Sequence, residues 1–104
     1  MMSFTTEIPK TCGILELDDM NRVIEFHEKV KNPPGNRANA AVYILDQEVM
    51  KFMESLGKLE IDFSTEVIPE FMGRIFCWHN GVYHRDIGNP ESYQKAQAEF
   101  REFV

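Results

Sequence analysis

No apolar run in the 104 residues approaches the roughly 20 residues a membrane-spanning helix needs, so no membrane span is expected. Cations are in the minority. Eleven Lys and Arg against 17 Asp and Glu leave a net charge of −6, which argues against the basic face that nucleic acid requires and against an anionic lipid surface. Met1-Met2-Ser3-Phe4 carries no charged leader followed by a hydrophobic stretch, so no signal peptide is expected. Cysteine is scarce: Cys12 and Cys77 form no C-x-x-C pair and read as reduced cytosolic thiols, implying a cytoplasmic protein. The phosphate-binding and nucleophile motifs G-x-x-x-x-G-K-[ST], G-x-G-x-x-G and G-x-S-x-G are missing, and the scattered His, Ser and Asp residues make no triad. There is no internal repeat.

What is present is ordinary for a small folded domain: 43% hydrophobic and 27% charged residues. One domain over 1–104 is expected, with a modest core. Met1 to Thr11 reads as irregular. Ile14, Leu15 and Leu17, the polar turn Asp19-Met20-Asn21, and the alternating run Arg22 to Val30 predict a β-hairpin. In its second strand, Ile24 and Phe26 share one face and Glu25 and His27 the other. A loop over Lys31 to Arg37 holds Pro33-Pro34-Gly35-Asn36. The unbroken apolar run Ala40 to Leu45 predicts a strand covered on both faces.

Asp46 is placed to cap a helix from Gln47 to Leu56. Val49, Phe52, Met53 and Leu56 line one stripe, and Gly57 is placed to stop it. A shorter helix is predicted from near Ser64, holding Val67, Ile68, Phe71 and Met72, with Pro69 tolerable only in a first turn or at a kink. Arg74 to His79 and Val82 to Ile87 predict two more strands joined at Asn80-Gly81, a strong hairpin signal. Asn89, Pro90 and Glu91 open a last helix, with Tyr93, Ala96, Phe100 and Phe103 as its buried stripe. The sum is an α/β fold with a mixed sheet of about five strands and three helices.

Three polar residues fall at strand ends. Glu28 shares the face of Ile24 and Phe26, where a carboxylate needs partners or a cleft; alternatively the strand emerges there and Glu28 and Lys29 are surface charges. Asp86 ends a strand before a Gly turn. It suits Mg²⁺, which takes one or two protein carboxylates, or else a turn residue paired with Arg85. Asn39 serves either a polar ligand or the loop backbone. Cys77, His79 and His84 lack the spacing of a zinc site.

Four segments, in order, Val23 to Lys29, Asn32 to Leu45, Ile61 to Pro69 and Tyr83 to Tyr93, resemble the sugar 1-phosphate nucleotidyltransferases, a family that includes mannose 1-phosphate and heptose 1-phosphate guanylyltransferases and glucose 1-phosphate thymidylyltransferases. Val23-Ile24-Glu25-Phe26-His27-Glu28-Lys29 is similar to a strand ending Phe-x-Glu-Lys-Pro. Asn32-Pro33-Pro34 and Asn36 to Leu45 resemble its Pro-rich loop and Asn-Ala-Gly-Ile-Tyr strand. Ile61-Asp62-Phe63 with Val67-Ile68-Pro69, and Tyr83 to Tyr93, resemble D-F, V-I-P and Y-W-x-D-I-G-T-P-E-x-Y.

The resemblance implies a partial Rossmann-like nucleotidyltransferase fold. It implies that Glu28 and Asn39 bind sugar, that Lys29 contacts the sugar phosphate, and that Asp86 is one of two carboxylates holding Mg²⁺. The implied substrates are a sugar 1-phosphate and a nucleoside triphosphate, most closely those of a mannose 1-phosphate guanylyltransferase. Val30 replaces the Pro after Glu-Lys, His84 replaces Trp and Asn89 replaces Thr. The family's G-x-G-T-R-L loop and its first metal Asp have no counterpart here. The resemblance therefore implies a C-terminal, sugar-phosphate-binding half without the nucleotide-binding half. Such a chain is expected to be inactive alone, and to self-associate or pair with the other half. A non-catalytic sugar-phosphate-binding or assembly module is the alternative.

Overall fold

The computed structural model describes residues 1–103. One edge of its sheet is a hairpin. Strands β2 (Gly13–Leu17) and β3 (Val23–Glu28) pair antiparallel, with Leu15 opposite Phe26 and Gly13 opposite Glu28. The turn is fastened by Asp18, whose Oδ1 accepts from the Met20 and Arg22 amides at 2.9 Å while Oδ2 accepts from Arg22 Nε at 2.7 Å. Asn21 takes the left-handed conformation at φ 61°, where Asn is tolerated. A register shift at Glu16/Leu17 sets the strand's parity. Val23 is fully buried whereas Ile24 is exposed, so the expected core position of Ile24 is corrected.

The sheet is mixed. Its order is β3-β2-β4-β1-β5, where β1 is Met2–Thr5, β4 is Arg37–Asn39 and β5 is Trp78–His79. Strand β1 runs antiparallel to β4 and parallel to β5. It lies in the segment expected to be irregular: too short to show a period, it is held by partners distant in sequence. Ser3 is fully buried there, with its Oγ 2.9 Å from His79 Nδ1. Around the sheet lie helix α1 (Gln47–Ser55), a π-helical turn (Phe63–Val67) running into a 3-10 turn (Ile68–Phe71), and helix α2 (Pro90–Phe100). The five-stranded mixed sheet with α1, the 63–71 segment and α2 agrees with the expected class, and short 3-10 turns stand at Pro9–Thr11 and Arg101–Phe103. The core is small: Ile14, Leu15, Val23, Ala38, Ala40, Val67 and Ile68.

Local signals explain the helices. Asp46 caps α1 through the Glu48 amide, and Gly57, at φ 64°, follows its end. Asp62 caps the π turn through Thr65, and Pro69 sits in the first turn of the 3-10 segment. Phe52 of α1 meets Phe71 edge-on at 5.7 Å. Asn89 caps α2 through the Ser92 amide at 2.8 Å. No helix among the described residues is long and apolar enough to cross a membrane.

Four further expectations are corrected. Ala40 to Leu45 is not a strand, and Ile44 is 99% exposed, because nothing in the described chain covers it. Only Trp78–His79 of the Arg74–His79 run pairs as a strand, although Phe76 bridges Arg22. Residues 82–87 form no strand, since Asn80 Oδ1 accepts from the Val82 and Tyr83 amides and makes a side-chain turn in place of a hairpin. In α2, Tyr93 and Phe100 are about half exposed and Ala96 is half-buried; the side chain of Phe103 lies outside the described residues.

Candidate functional site

Strands β3 and β4 are both antiparallel to β2. They therefore end on the side of the sheet where β2 begins. Glu28 closes β3, Asn39 closes β4, and Gly13 opens β2. These residues line one cavity of about 390 Å³, and Asp86 lines it from the 82–87 segment. Three of the four candidate residues are thus brought together. The fourth, Lys29, takes a left-handed backbone at φ 50°, donates its amide to Cys12 O at 3.0 Å, and is not among the residues lining the cavity.

Gly13 makes room for this arrangement. A Cβ on it would lie within contact of the Phe26 ring and 2.9 Å from Glu28 Oε2. Its hydrogen leaves the Glu28 carboxylate and the Phe26 ring side by side over β2. Asn39 is held at both ends of its amide. Oδ1 accepts from the Ala41 N–H at 2.9 Å and Nδ2 donates to Tyr43 Oη at 2.6 Å. One Nδ2–H remains for a ligand, because a primary amide has two. Tyr43 stacks on Phe63 at 4.6 Å. Burial pushes its phenol above the usual range, the Asn39 bond opposes this, and the nearby Glu28 charge adds to it. Ala41, which also lines the cavity, sits at φ 57°, a strained conformation for a residue with a Cβ.

The cavity is acidic. Glu28 and Asp86 contribute carboxylates, and the nearby cation is already engaged. Arg85 bonds Glu99 through Nε at 2.8 Å and Nη2 at 2.7 Å. The expected alternative, Asp86 paired with Arg85, is therefore replaced by Arg85 paired with Glu99. Asp86 itself accepts the Gly88 amide on Oδ1 at 3.0 Å. His84 packs its ring on Phe4 at 4.3 Å, and burial pushes its imidazole below the usual value despite the Asp86 charge.

Asp86 fits the low end of the one or two carboxylates that Mg²⁺ takes from a protein, the rest of the shell being water and phosphate. No group of three or more potential metal ligands occurs among the described residues. His79 is occupied by Ser3 and Thr5.

A second cavity, about 360 Å³, is lined chiefly by apolar side chains from 43–45, 63–71 and 75–76, with Val49 of α1. Its carboxylate, Asp46, is spent on capping α1. The three candidate residues that come together line the first cavity and none of them lines the second.

Gly13, Ala41, Tyr43 and Glu99 were not among the sequence candidates. Two of them left a trace: a Gly opening the strand that faces Glu28 across the hairpin, and a Tyr four residues after Asn39.

The nucleotidyl transferase family pattern matches residues 1–102. The chain is 33% identical over 99 residues to a glucose-1-phosphate adenylyltransferase of Lachnospira eligens, covering 88% of this chain and 23% of that protein. It is 28% identical over 95 residues to a mannose-1-phosphate guanylyltransferase of Mycobacterium tuberculosis, covering 88% of this chain and 26% of that protein. It thus spans about a quarter of the length of these relatives. A solved structure assigned as a glucose-1-phosphate thymidylyltransferase from Bacillus anthracis, in complex with a sucrose, superposes with a TM-score of 0.76 at 22% identity over 97% of this chain and 42% of that one. That likeness carries the fold, the mixed sheet of a Rossmann-like nucleotidyltransferase. With the family pattern covering nearly every residue, the chain belongs to the nucleotidyl transferase family.

Proposed function

We propose that this chain is the C-terminal, sugar-phosphate-binding part of a sugar 1-phosphate nucleotidyltransferase, with mannose 1-phosphate guanylyl transfer as the specific reaction. The observation that carries the reading is the meeting of Glu28, Asn39 and Asp86, from three separate segments, around one cavity. A hydroxyl-rich ligand suits it. Glu28 accepts hydrogen bonds from sugar hydroxyls, and Asn39 donates its remaining N–H to a sugar oxygen. Lys29 meets the phosphate from outside the cavity wall.

In the reaction, a phosphate oxygen of the sugar 1-phosphate bonds to the nucleotide α-phosphorus, and the bond to pyrophosphate breaks. Bound Mg²⁺ would supply charge neutralisation in such a transfer, with Asp86 as the ligand from this chain. Glu28 and Asn39 fix the sugar so that its phosphate is presented in line.

The 104 residues contain no Gly-rich loop, the element whose amides cradle nucleotide phosphates. We therefore propose that the chain is inactive alone. It would work with a segment that supplies that loop, or associate with itself through exposed apolar groups such as Ile44, Phe76 and Trp78. The unpaired thiols Cys12 and Cys77 favour a cytoplasmic setting. The test is incubation with Mg²⁺, GTP or dTTP, and mannose 1-phosphate. No pyrophosphate above background is expected; release above background refutes the inactivity.

A second reading, a non-catalytic sugar-phosphate-binding module, is favoured by the cavity forming entirely within this chain. Calorimetry with mannose 1-phosphate distinguishes the two ideas from a bare scaffold. Both require binding that Glu28→Ala weakens, and heat-silent titration of the wild-type chain rejects both.

A further inference from the structure

Helix α2 starts four residues beyond Asp86 and buries none of its residues. Its inner face, Ser92, Ala96 and Glu99, is only partly buried, and a short helix so placed has little hydrophobic hold on the body of a protein. Its hold is polar and runs through Glu99, in its last turn. Glu99 Oε2 accepts from Tyr83 Oη and from Arg85 Nε, each at 2.8 Å, and Oε1 accepts from Arg85 Nη2 at 2.7 Å. These three bonds join α2 to the 83–85 segment. A two-pronged Arg–carboxylate bond fixes direction as well as distance.

The segment so clamped has no ladder of its own. Residues 82–87 form no strand, so sheet pairing does not place Asp86. Two bonds fix it from the C-terminal side: Gly88 N–H to Asp86 Oδ1, and the Ser92 amide to the Asn89 cap. From the N-terminal side the clamp fixes Tyr83 and Arg85. Asp86 therefore lies inside a closed loop whose two ends, 83–85 and the last turn of α2, are tied together by Glu99. Arg85 is also a shared wall. It lines the cavity of Glu28 and Asp86 on one side and, with Tyr83 and Glu99, a neighbouring cavity of about 280 Å³ on the other.

We propose that Glu99 is a positioning residue for Asp86: by gripping Tyr83 and Arg85 it holds the Asp86 carboxylate in the sugar-phosphate cavity and turns the Arg85 guanidinium away from it. The role of Asp86 as a cation ligand belongs to the function proposed above; the grip itself does not depend on it.

The experiment uses the full chain, ¹⁵N-labelled, as wild type, Glu99→Ala, Glu99→Gln, Asp86→Asn, and Gln94→Ala as a control on the same helix. Amide hydrogen exchange reads the grip. Glu99→Ala is expected to speed exchange of the α2 and Gly88 amides by about tenfold, the scale of lost charge-assisted hydrogen bonds. Glu99→Gln, which keeps an acceptor, is expected to restore part of the protection, and Gln94→Ala to match wild type. Paramagnetic broadening by added Mn²⁺ reads the position of Asp86. Broadening at the Gly13 and Ala41 amides is expected in the wild type, and its loss in both Asp86→Asn and Glu99→Ala.

Unchanged exchange at Gly88 and α2 in Glu99→Ala overturns the proposal. So does broadening that survives in Glu99→Ala but not in Asp86→Asn. If the wild type shows no broadening, the cation reading of Asp86 fails, and the exchange rates still decide for or against the grip. Should Glu99→Ala fail to fold, the milder Glu99→Gln gives the same comparison.

Discussion

Asn39 gives one amide hydrogen to Tyr43 Oη at 2.6 Å and takes the Ala41 N–H at 2.9 Å on its other end. The bond is what keeps the side chain from turning over in the cavity. Tyr43→Phe keeps the ring on Phe63 but removes the acceptor. A loss of about 0.5–1.5 kcal/mol in urea denaturation is expected, the net worth of one hydrogen bond, with weaker calorimetric binding of mannose 1-phosphate. Unaltered binding would show that Asn39 orients itself without the phenol.

Ala41 holds a left-handed backbone at φ 57°. That conformation costs a residue with a Cβ about 1–2 kcal/mol, while glycine loses about 0.4–1 kcal/mol more chain entropy on folding. Ala41→Gly is therefore expected to stabilise the chain by a few tenths to about 1 kcal/mol. The sign is read from the urea midpoint at constant slope. A lower midpoint would mean that the Ala41 methyl, at the cavity wall, has packing worth more than the strain.

Gly13→Ala goes the other way. The new methyl would lie against the Phe26 ring and 2.9 Å from Glu28 Oε2, and an overpacked site costs about 1–3 kcal/mol. Glu28 must shift, so mannose 1-phosphate binding is expected to fall together with stability. Denaturation and calorimetry on one preparation report both.

His84 sets a pH dependence. Burial against Phe4 lowers its folded-state pKa below the ordinary 6.5, so the unfolded chain takes up the proton first. Stability from this group is complete above the unfolded value and is lost as pH falls through the folded one. Denaturation at pH 7.5 and 5.5 is expected to show lower stability at the acid end, with a smaller difference in His84→Gln. An equal difference in the variant would assign the effect to other groups. Glu99 is not one of them: the Arg85 bond holds it below the usual carboxylate range, so its contribution is lost only at lower pH.

Where local chemistry decides structure, the sequence was readable. The β2–β3 hairpin with its Asp-Asn turn, α1 between Asp46 and Gly57, and the Asn89-Pro90-Glu91 start of α2 all stand where their residues point. Where distant cover decides, it was not. Met2–Thr5 is a strand because residues 37–39 and 78–79 flank it, which no local pattern records. Val42 and Ile44 have the composition of a buried strand, yet composition names what a segment wants against it and not whether this chain supplies it. Asn80-Gly81 lost its hairpin to the Asn80 side chain. In the site, Glu28, Asn39 and Asp86 stood out as polar groups at strand ends. Gly13 and Tyr43 matter through what they touch, and contact across the sheet is invisible until the register is known.

The strand order has a kinetic corollary. Strands β2 and β3 meet across a turn of a few residues and can zip on the microsecond scale typical of hairpins. Strand β1 instead joins β4 and β5, with Ser3 beside both Asn39 and His79, so the middle of the sheet waits on the closure of long loops. Refolding is expected to show an early hairpin and a late locking of β1, and a newly made chain cannot complete its five-stranded sheet until Trp78 and His79 have left the ribosome.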